Sequence, residues 1–292
     1  MAIDKALLGT LSEDEGKSIR RLVEKGIKLP PQPAVLEELN HLLTRGVSDV
    51  RVLGRSIAQD PGIVAALFKV AQSSAFASLQ PLDSIEHILQ AIGIRQTYSI
   101  VQAVAYANAV PAKHNAKAFE AFWVRSRAVA QIAMLVAEER VSVCNIFPEQ
   151  AYLAGIFHDC GVPVLMQRFT TYCKDMHLDV PGRWTDLHEE DSRFNADHCV
   201  VGYLVAKHWR LPDFICDAIR YHHDIHSMGS HAARTMVAIL QLAIQLHYQD
   251  MHVDNPEWAE LQDVVIDELG LRADALPEFM DIILERYHRE EH

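Results

Sequence analysis

Apolar residues recur every three or four positions along almost the whole of this 292-residue chain, the spacing that gives a helix one buried stripe. The β-branched, turn-punctuated alternation of a sheet is missing. The pattern predicts an all-α fold. Ser12 followed by Glu15 is a capping-box signature for a helix running to about Gly26, where glycine is a natural stop. Leu29-Pro30-Pro31-Gln32-Pro33 then forces an extended linker, because each proline fixes its own φ and disfavours helix at the residue before it. Short helices are expected over 34–43, 50–58 and 62–72, the last started by Asp60-Pro61. One more fits 85–91, capped by Ser84, and Gly93 marks a break before a helix over 97–109. Pro111 and the polar residues 112–115 separate this part from a second half. There, helices are expected over 119–139, 149–167, 195–209, 212–222 and 232–248, with 170–194 left as an irregular loop. Acidic helices over 258–269 and 277–287 close the chain. The predicted organisation is a bundle of two packed halves: an N-terminal helix (1–28), a main domain (29–225, divided between 115 and 116) and a helical extension (226–292).

Composition narrows the function. With 49% hydrophobic residues the chain can bury a substantial core. Lys and Arg number 27 against 39 Asp and Glu, a formal net charge of -12, so a phosphate backbone is repelled on average and no nucleic-acid partner is expected. The basic residues from Lys17 to Lys28 read as the solvated face of an amphipathic helix. Cys144, Cys160, Cys173, Cys199 and Cys216 are odd in number and lack C-x-x-C spacing, as fits reduced thiols. No secretion signal or apolar run of membrane-spanning length is visible, so no membrane partner and a cytoplasmic location are expected.

The 16 histidines include an informative subset: His158-Asp159 within Ala154-Gly155-Ile156-Phe157-His158-Asp159-Cys160-Gly161, then His198, then His222-His223-Asp224. Adjacent His and Asp on one helix point about 100° apart, close enough to reach one ion if other helices bring more ligands. Bundle interiors are a usual place for such sites. Taken singly, each residue is equally explained as a satisfied core group or a helix-end cap.

Taken in order, they resemble the HD superfamily of metal-dependent phosphohydrolases, whose minimal pattern is a His, a His-Asp pair and a distant Asp. The resemblance implies a metal site, but two positions depart from it. Arg125 stands where the first histidine belongs, and guanidinium cannot ligate a cation. Ile244 stands approximately where the closing aspartate belongs. Arg125 is therefore expected to occupy the vacated cation position and to pair with Asp159, since a buried carboxylate needs a compensating charge.

The first half carries more specific signatures: Leu29-Pro30-Pro31-Gln32-Pro33-Ala34-Val35, Ile57-Ala58-Gln59-Asp60-Pro61-Gly62-Ile63, Ala71-Gln72-Ser73-Ser74-Ala75-Phe76, and Ser84-Ile85 leading to Ala91-Ile92-Gly93-Ile94. Together with Phe122-Trp123, Asp197-His198, Gly202, Trp209-Arg210-Leu211-Pro212 and His222-His223, these resemble the HDOD family, the HD-related output domains of bacterial signalling proteins. The resemblance implies a regulatory module without catalytic residues or cofactor, acting on an unidentified signalling protein or small ligand, with oligomeric state unspecified. The expected pocket is a cleft between the halves near Arg125, His158, Asp159, His198, His222 and His223. No metal is expected; a residual site would use His158, Asp159, His198 and His222. The competing expectation is a residual metal-dependent phosphohydrolase acting on a nucleotide or cyclic dinucleotide.

Overall fold

The computed structural model describes residues 26–71, 82–110, 115–178, 180, 182–228 and 230–291. The expected N-terminal helix with its capping box, residues 72–76 of the third signature and the connection 111–114 lie outside the described residues. Within them all regular structure is helical.

Pro31–Pro111 with Ile282–His292 form one compact unit. It contains α1 (Ala34–Thr44), α2 (Val50–Ile57), α3 (Pro61–Ala71), α4 (Ile85–Ala91) and α5 (Ile94–Ala109). The predicted starts of these helices follow from local capping. Asp60 accepts from the backbone N–H groups of Gly62 and Ile63 ahead of Pro61, and Ser84 accepts from that of His87, satisfying donors that a helix N-terminus leaves unpaired. Leu36, Leu53, Ile57, Leu67, Ile88 and Tyr106 fill the interior of this unit.

The remaining residues, Met1–Pro30 and Ala112–Asp281, form the second and larger unit. The long α6 (Ala116–Cys144) is flanked by α7 (Pro148–Phe157) and by α13 (His231–Asp250). Between these in sequence come α8 (Gly161–Arg168), α9 (Tyr172–Asp175), α10 (Leu187–Phe194), α11 (His198–His208) and α12 (Asp213–Tyr221), and α14 (Trp258–Glu268) packs on α13. Helix α15 spans Leu276–Glu291. The packing of α13 on α6 places it inside the larger unit although it begins beyond residue 225. Trp209, fully buried, donates its indole N–H to the carbonyl of Pro30 at 3.0 Å, which ties the linker preceding the proline run to the end of α11.

Two expected elements differ. Residues 149–167 form two helices rather than one, because Pro163 has no N–H to donate and its ring collides with the carbonyl four residues back, that of Asp159. The resulting break leaves His158, Asp159 and Cys160 as a buried turn between α7 and α8. Residues 170–194 are not an irregular loop: they hold α9 and α10, too short to show a helical period. Asp186 caps α10 by accepting from the backbone N–H of Glu189 at 2.9 Å.

Candidate functional site

Asp159 lies at the centre of the larger unit's polar interior and is 1% exposed. Two close helix crossings position it. A side-chain carbon on Gly155 would lie 2.4 Å from the Cα of Ala130, and one on Gly161 would lie 2.0 Å from the carbonyl oxygen of His198. Any larger residue would drive α7 from α6, or α8 from α11, so the two glycines bring the His158-Asp159 turn down onto the histidines of the neighbouring helices.

Four imidazoles converge there. Nε2 of His158 is 2.9 Å from Oδ2 of Asp159, and Nε2 of His198 and of His222 are 3.4 and 3.3 Å from Oδ1. Nε2 of His223 lies 3.2 Å from Nε2 of His198. On the far side each ring meets an acceptor through Nδ1: the Gly155 carbonyl for His158 at 2.7 Å, Glu190 for His198 at 2.8 Å, the Ile219 carbonyl for His222 at 2.9 Å and Glu257 for His223 at 2.7 Å. An Nδ1–H donated outward leaves the Nε2 lone pair facing the centre, the orientation found in histidines that hold metals. Nε2 of His158 and of His222 are buried without a hydrogen-bond partner. Cys199 sits beside them, its Sγ 3.5 Å from Nε2 of His198 and 3.6 Å from Nδ1 of His222. His198, Cys199, His222 and His223 each bring one donor atom, all within 4.8 Å of one another. This mixed nitrogen and sulfur set fits a divalent cation of the zinc type.

Glu190 anchors the cluster from outside. Fully buried, it accepts from the backbone N–H of His198, the first residue of α11, and from the Tyr172 hydroxyl. A carboxylate at a helix N-terminus meets unpaired N–H groups and the positive end of the dipole. On the other side, Gln241 of α13 donates its amide to the carbonyl of His222.

The ionisable groups compensate one another. Burial pushes the Asp159 carboxyl up, but His158, His222 and His198 outweigh it and hold Asp159 well below the usual carboxylate range. Burial works against a charge on His198, yet Cys199 and Glu190 raise it well above the ordinary imidazole value. His222 is likewise disfavoured by burial but lifted to about 10 by Cys199 and Asp159. The Cys199 thiol, pushed up by burial, is brought below its ordinary value by His198 and His222. Burial and the neighbouring His222 pull His223 down to about 4 despite Glu257. The surrounding imidazoles thus favour the charged form of the carboxylate.

Arg125, on α6, closes the cluster. It is 7% exposed, its Nε lies 3.7 Å from Oδ2 of Asp159, and its guanidinium carbon stands 4.7 Å from the Trp184 ring centre and 5.1 Å from that of Tyr248. Trp184 donates its own N–H to the same Oδ2 at 2.7 Å. The carboxylate therefore receives an indole hydrogen bond and a longer-range guanidinium charge. Ile244 is buried on α13, on the face shared by Gln241 and Tyr248, and offers no donor atom.

All six residues singled out from the sequence, Arg125, His158, Asp159, His198, His222 and His223, are brought together. A 750 Å³ cavity of the larger unit, however, is lined by Arg125 alone among them, with Trp184, His247 and several cationic residues; the histidines lie packed away from it. The sequence reading missed Trp184, Glu190, Cys199 and Glu257. Cys199 carried a signal, a thiol adjacent to His198; the two glutamates and the tryptophan lie in segments read only as loop or acidic tail.

Residues 29–225 match the sequence model of the HDOD domain. An uncharacterized protein of Treponema pallidum (strain Nichols) is 20% identical over 206 residues, covering 68% of this chain and 38% of that protein; the chain thus spans well under half the length of this relative. Among solved structures, a protein of Marinobacter aquaeolei VT8 named for signal transduction shares 20% identity with a TM-score of 0.75, over 99% of this chain and 67% of that one. A Shewanella amazonensis SB2B protein named as a metal-dependent phosphohydrolase shares 18% identity with a TM-score of 0.69, over 98% of both chains. At these identities the likeness is one of fold.

Proposed function

Because the chain belongs to the HDOD domain family, we propose that it is a regulatory module of bacterial signal transduction that binds a protein or small ligand and does not hydrolyse phosphate esters. The observation that carries this reading is Arg125: a guanidinium stands 3.7 Å from Asp159, at the position where the resemblance to the HD superfamily expects the first metal-binding histidine, and Ile244 stands approximately where it expects the closing aspartate. A fixed positive charge there disfavours a second cation next to Asp159. The signalling name of the Marinobacter aquaeolei protein is in keeping with this role.

One observation favours a second reading, a residual metal-dependent phosphohydrolase: the outward-anchored Nδ1 atoms leave Nε2 donors directed at one point. His158, Asp159, His198 and His222 would hold the ion, with Cys199 and His223 in reach. A bound divalent metal lowers the pKa of water and neutralises phosphoryl oxygens. The residues themselves would orient the donors, through Glu190, Glu257 and the carbonyls of Gly155 and Ile219, and keep water from the carboxylate through Trp184.

The two readings separate by metal analysis of protein purified without chelator, followed by a phosphodiesterase assay with manganese and bis-p-nitrophenyl phosphate. The expected result is no turnover above the buffer rate. Stoichiometric metal with turnover would overturn the regulatory reading; metal without turnover leaves it standing and makes the cluster a structural site.

A further inference from the structure

The geometry points to the 750 Å³ cavity beside Arg125 as a binding site for a small phosphorylated organic anion. The cavity is lined by the cationic side chains of Lys117, Arg125, Lys174 and Arg183, with the rings of Trp184 and His247, and by no carboxylate among the described residues. That is the reverse of what the composition would supply by chance, since acids outnumber bases 39 to 27 over the chain. A volume of this size matches small-molecule sites, which lie in the range of roughly 300 to 1,000 Å³.

Three further features converge on an anion. The N-terminus of α6, a 29-residue helix, opens into the cavity: Asn115 precedes it in the left-handed conformation with φ 56°, makes no side-chain cap, and no acidic residue lies in the first turn. The backbone N–H groups of Ala116, Lys117 and Ala118 therefore have no partner among the described residues and lie at the positive end of a long helix dipole. Second, a buried polar atom of a lining residue, Nδ1 of His247, lacks a hydrogen-bond partner, on a side chain only 6% exposed. A buried polar atom left unsatisfied costs free energy that a ligand oxygen or hydroxyl can recover. Third, Lys117, Lys174 and Arg183 are exposed and paired with no described carboxylate, so their charges are available. Apolar atoms of Ala121, Leu178 and Met251 also line the space, which suits an organic phosphate better than the bare ion.

The site deepens the binding reading given above by naming its ligand chemistry, and rests on that reading. It also offers a route to regulation. An anion held by Arg125 competes with Asp159 for the same guanidinium, so occupancy of the cavity loosens the charge pairing of the histidine cluster.

Titration calorimetry of the full chain with inorganic pyrophosphate tests the assignment, with ATP and fructose 1,6-bisphosphate as arms that distinguish a nucleotide from a sugar phosphate. Saturable one-to-one binding is expected, tightest for one of the two organic phosphates. Substitution of exposed Lys174→Glu and Arg183→Glu should weaken binding by about tenfold for each charge reversed, with the thermal midpoint unchanged. Absence of binding, or binding undiminished in the double variant, as a phosphate held at the histidine cluster would show, overturns the proposal. Neither result bears on turnover. Conversely, manganese-dependent hydrolysis would refute the regulatory reading while leaving the charge-reversal result in place.

Discussion

The two sides of the Asp159 carboxylate are built on different principles. On Oδ1 stand His198 and His222, each ring fixed by a hydrogen bond on its outer nitrogen, so their directions are set by atoms one step further out. On Oδ2, besides His158 at 2.9 Å, stand Trp184 and Arg125, and Arg125 is placed by ring faces and by its burial; its Nε makes no hydrogen bond. The histidines are oriented as metal ligands are, whereas Arg125 meets the carboxylate through charge and packing. The imidazoles keep their directions independently of any ion, because outer partners such as Glu190 and Glu257 hold them.

If Asp159 is the shared counter-charge of both sides, removing it should have the largest effect. Asp159→Ala removes the carboxylate that Arg125, His158, His198 and His222 face, and breaking a buried charge pair from one side costs about 3–5 kcal/mol. The unfolding free energy from urea titration should fall by that amount, through a lower midpoint at unchanged slope. Arg125→Leu should cost clearly less, since His198 and His222 still face the carboxylate. Equal losses in the two variants would mean that the arginine carries the pairing alone and would end the comparison.

A somewhat smaller effect is expected at the outer layer. Glu190→Gln keeps shape but removes the charge that accepts from the His198 ring, the His198 backbone N–H and the Tyr172 hydroxyl. Hydrogen bonds to a charged group contribute about 1.5–3 kcal/mol, and a loss in that range is the expected outcome in urea unfolding. The variant should also release the His198 ring, seen as a downward move of its imidazole titration by NMR. A titration left in place would show that Glu190 does not hold the ring.

What the sequence disclosed and what it concealed follow the same division. The helix order, and the convergence of His158, Asp159, His198 and His222, were legible because helical periodicity and ordered motif spacing are local properties. Arg125 and Ile244 were legible as departures from a pattern. Glu190, Glu257 and Trp184 were not, since nothing near them in sequence says that a short helix, a tail residue and a loop residue will touch a histidine or a carboxylate many positions away. The break at Asp159 could have been read from Pro163, whose missing N–H forbids one continuous helix.

The smallest effect sharpens the arginine side through pH. His247 lies on α13, buried, with Nδ1 unpartnered; burial, with the Arg125 charge adding to it, pulls its pKa from 6.5 to about 3. Below pH 6.5 the unfolded chain takes up this proton and the folded one does not, so stability present above 6.5 is lost as pH falls, down to about 3. By about pH 5 the loss from this residue alone is about 2 kcal/mol. Other groups titrate over the same interval, and the difference against His247→Gln isolates the term: urea midpoints taken near neutrality and near pH 5 should fall further in the parent than in the variant. Parallel falls would show that His247 takes up a proton without opposition from Arg125, and the arginine would then not be the dominant charge on that side.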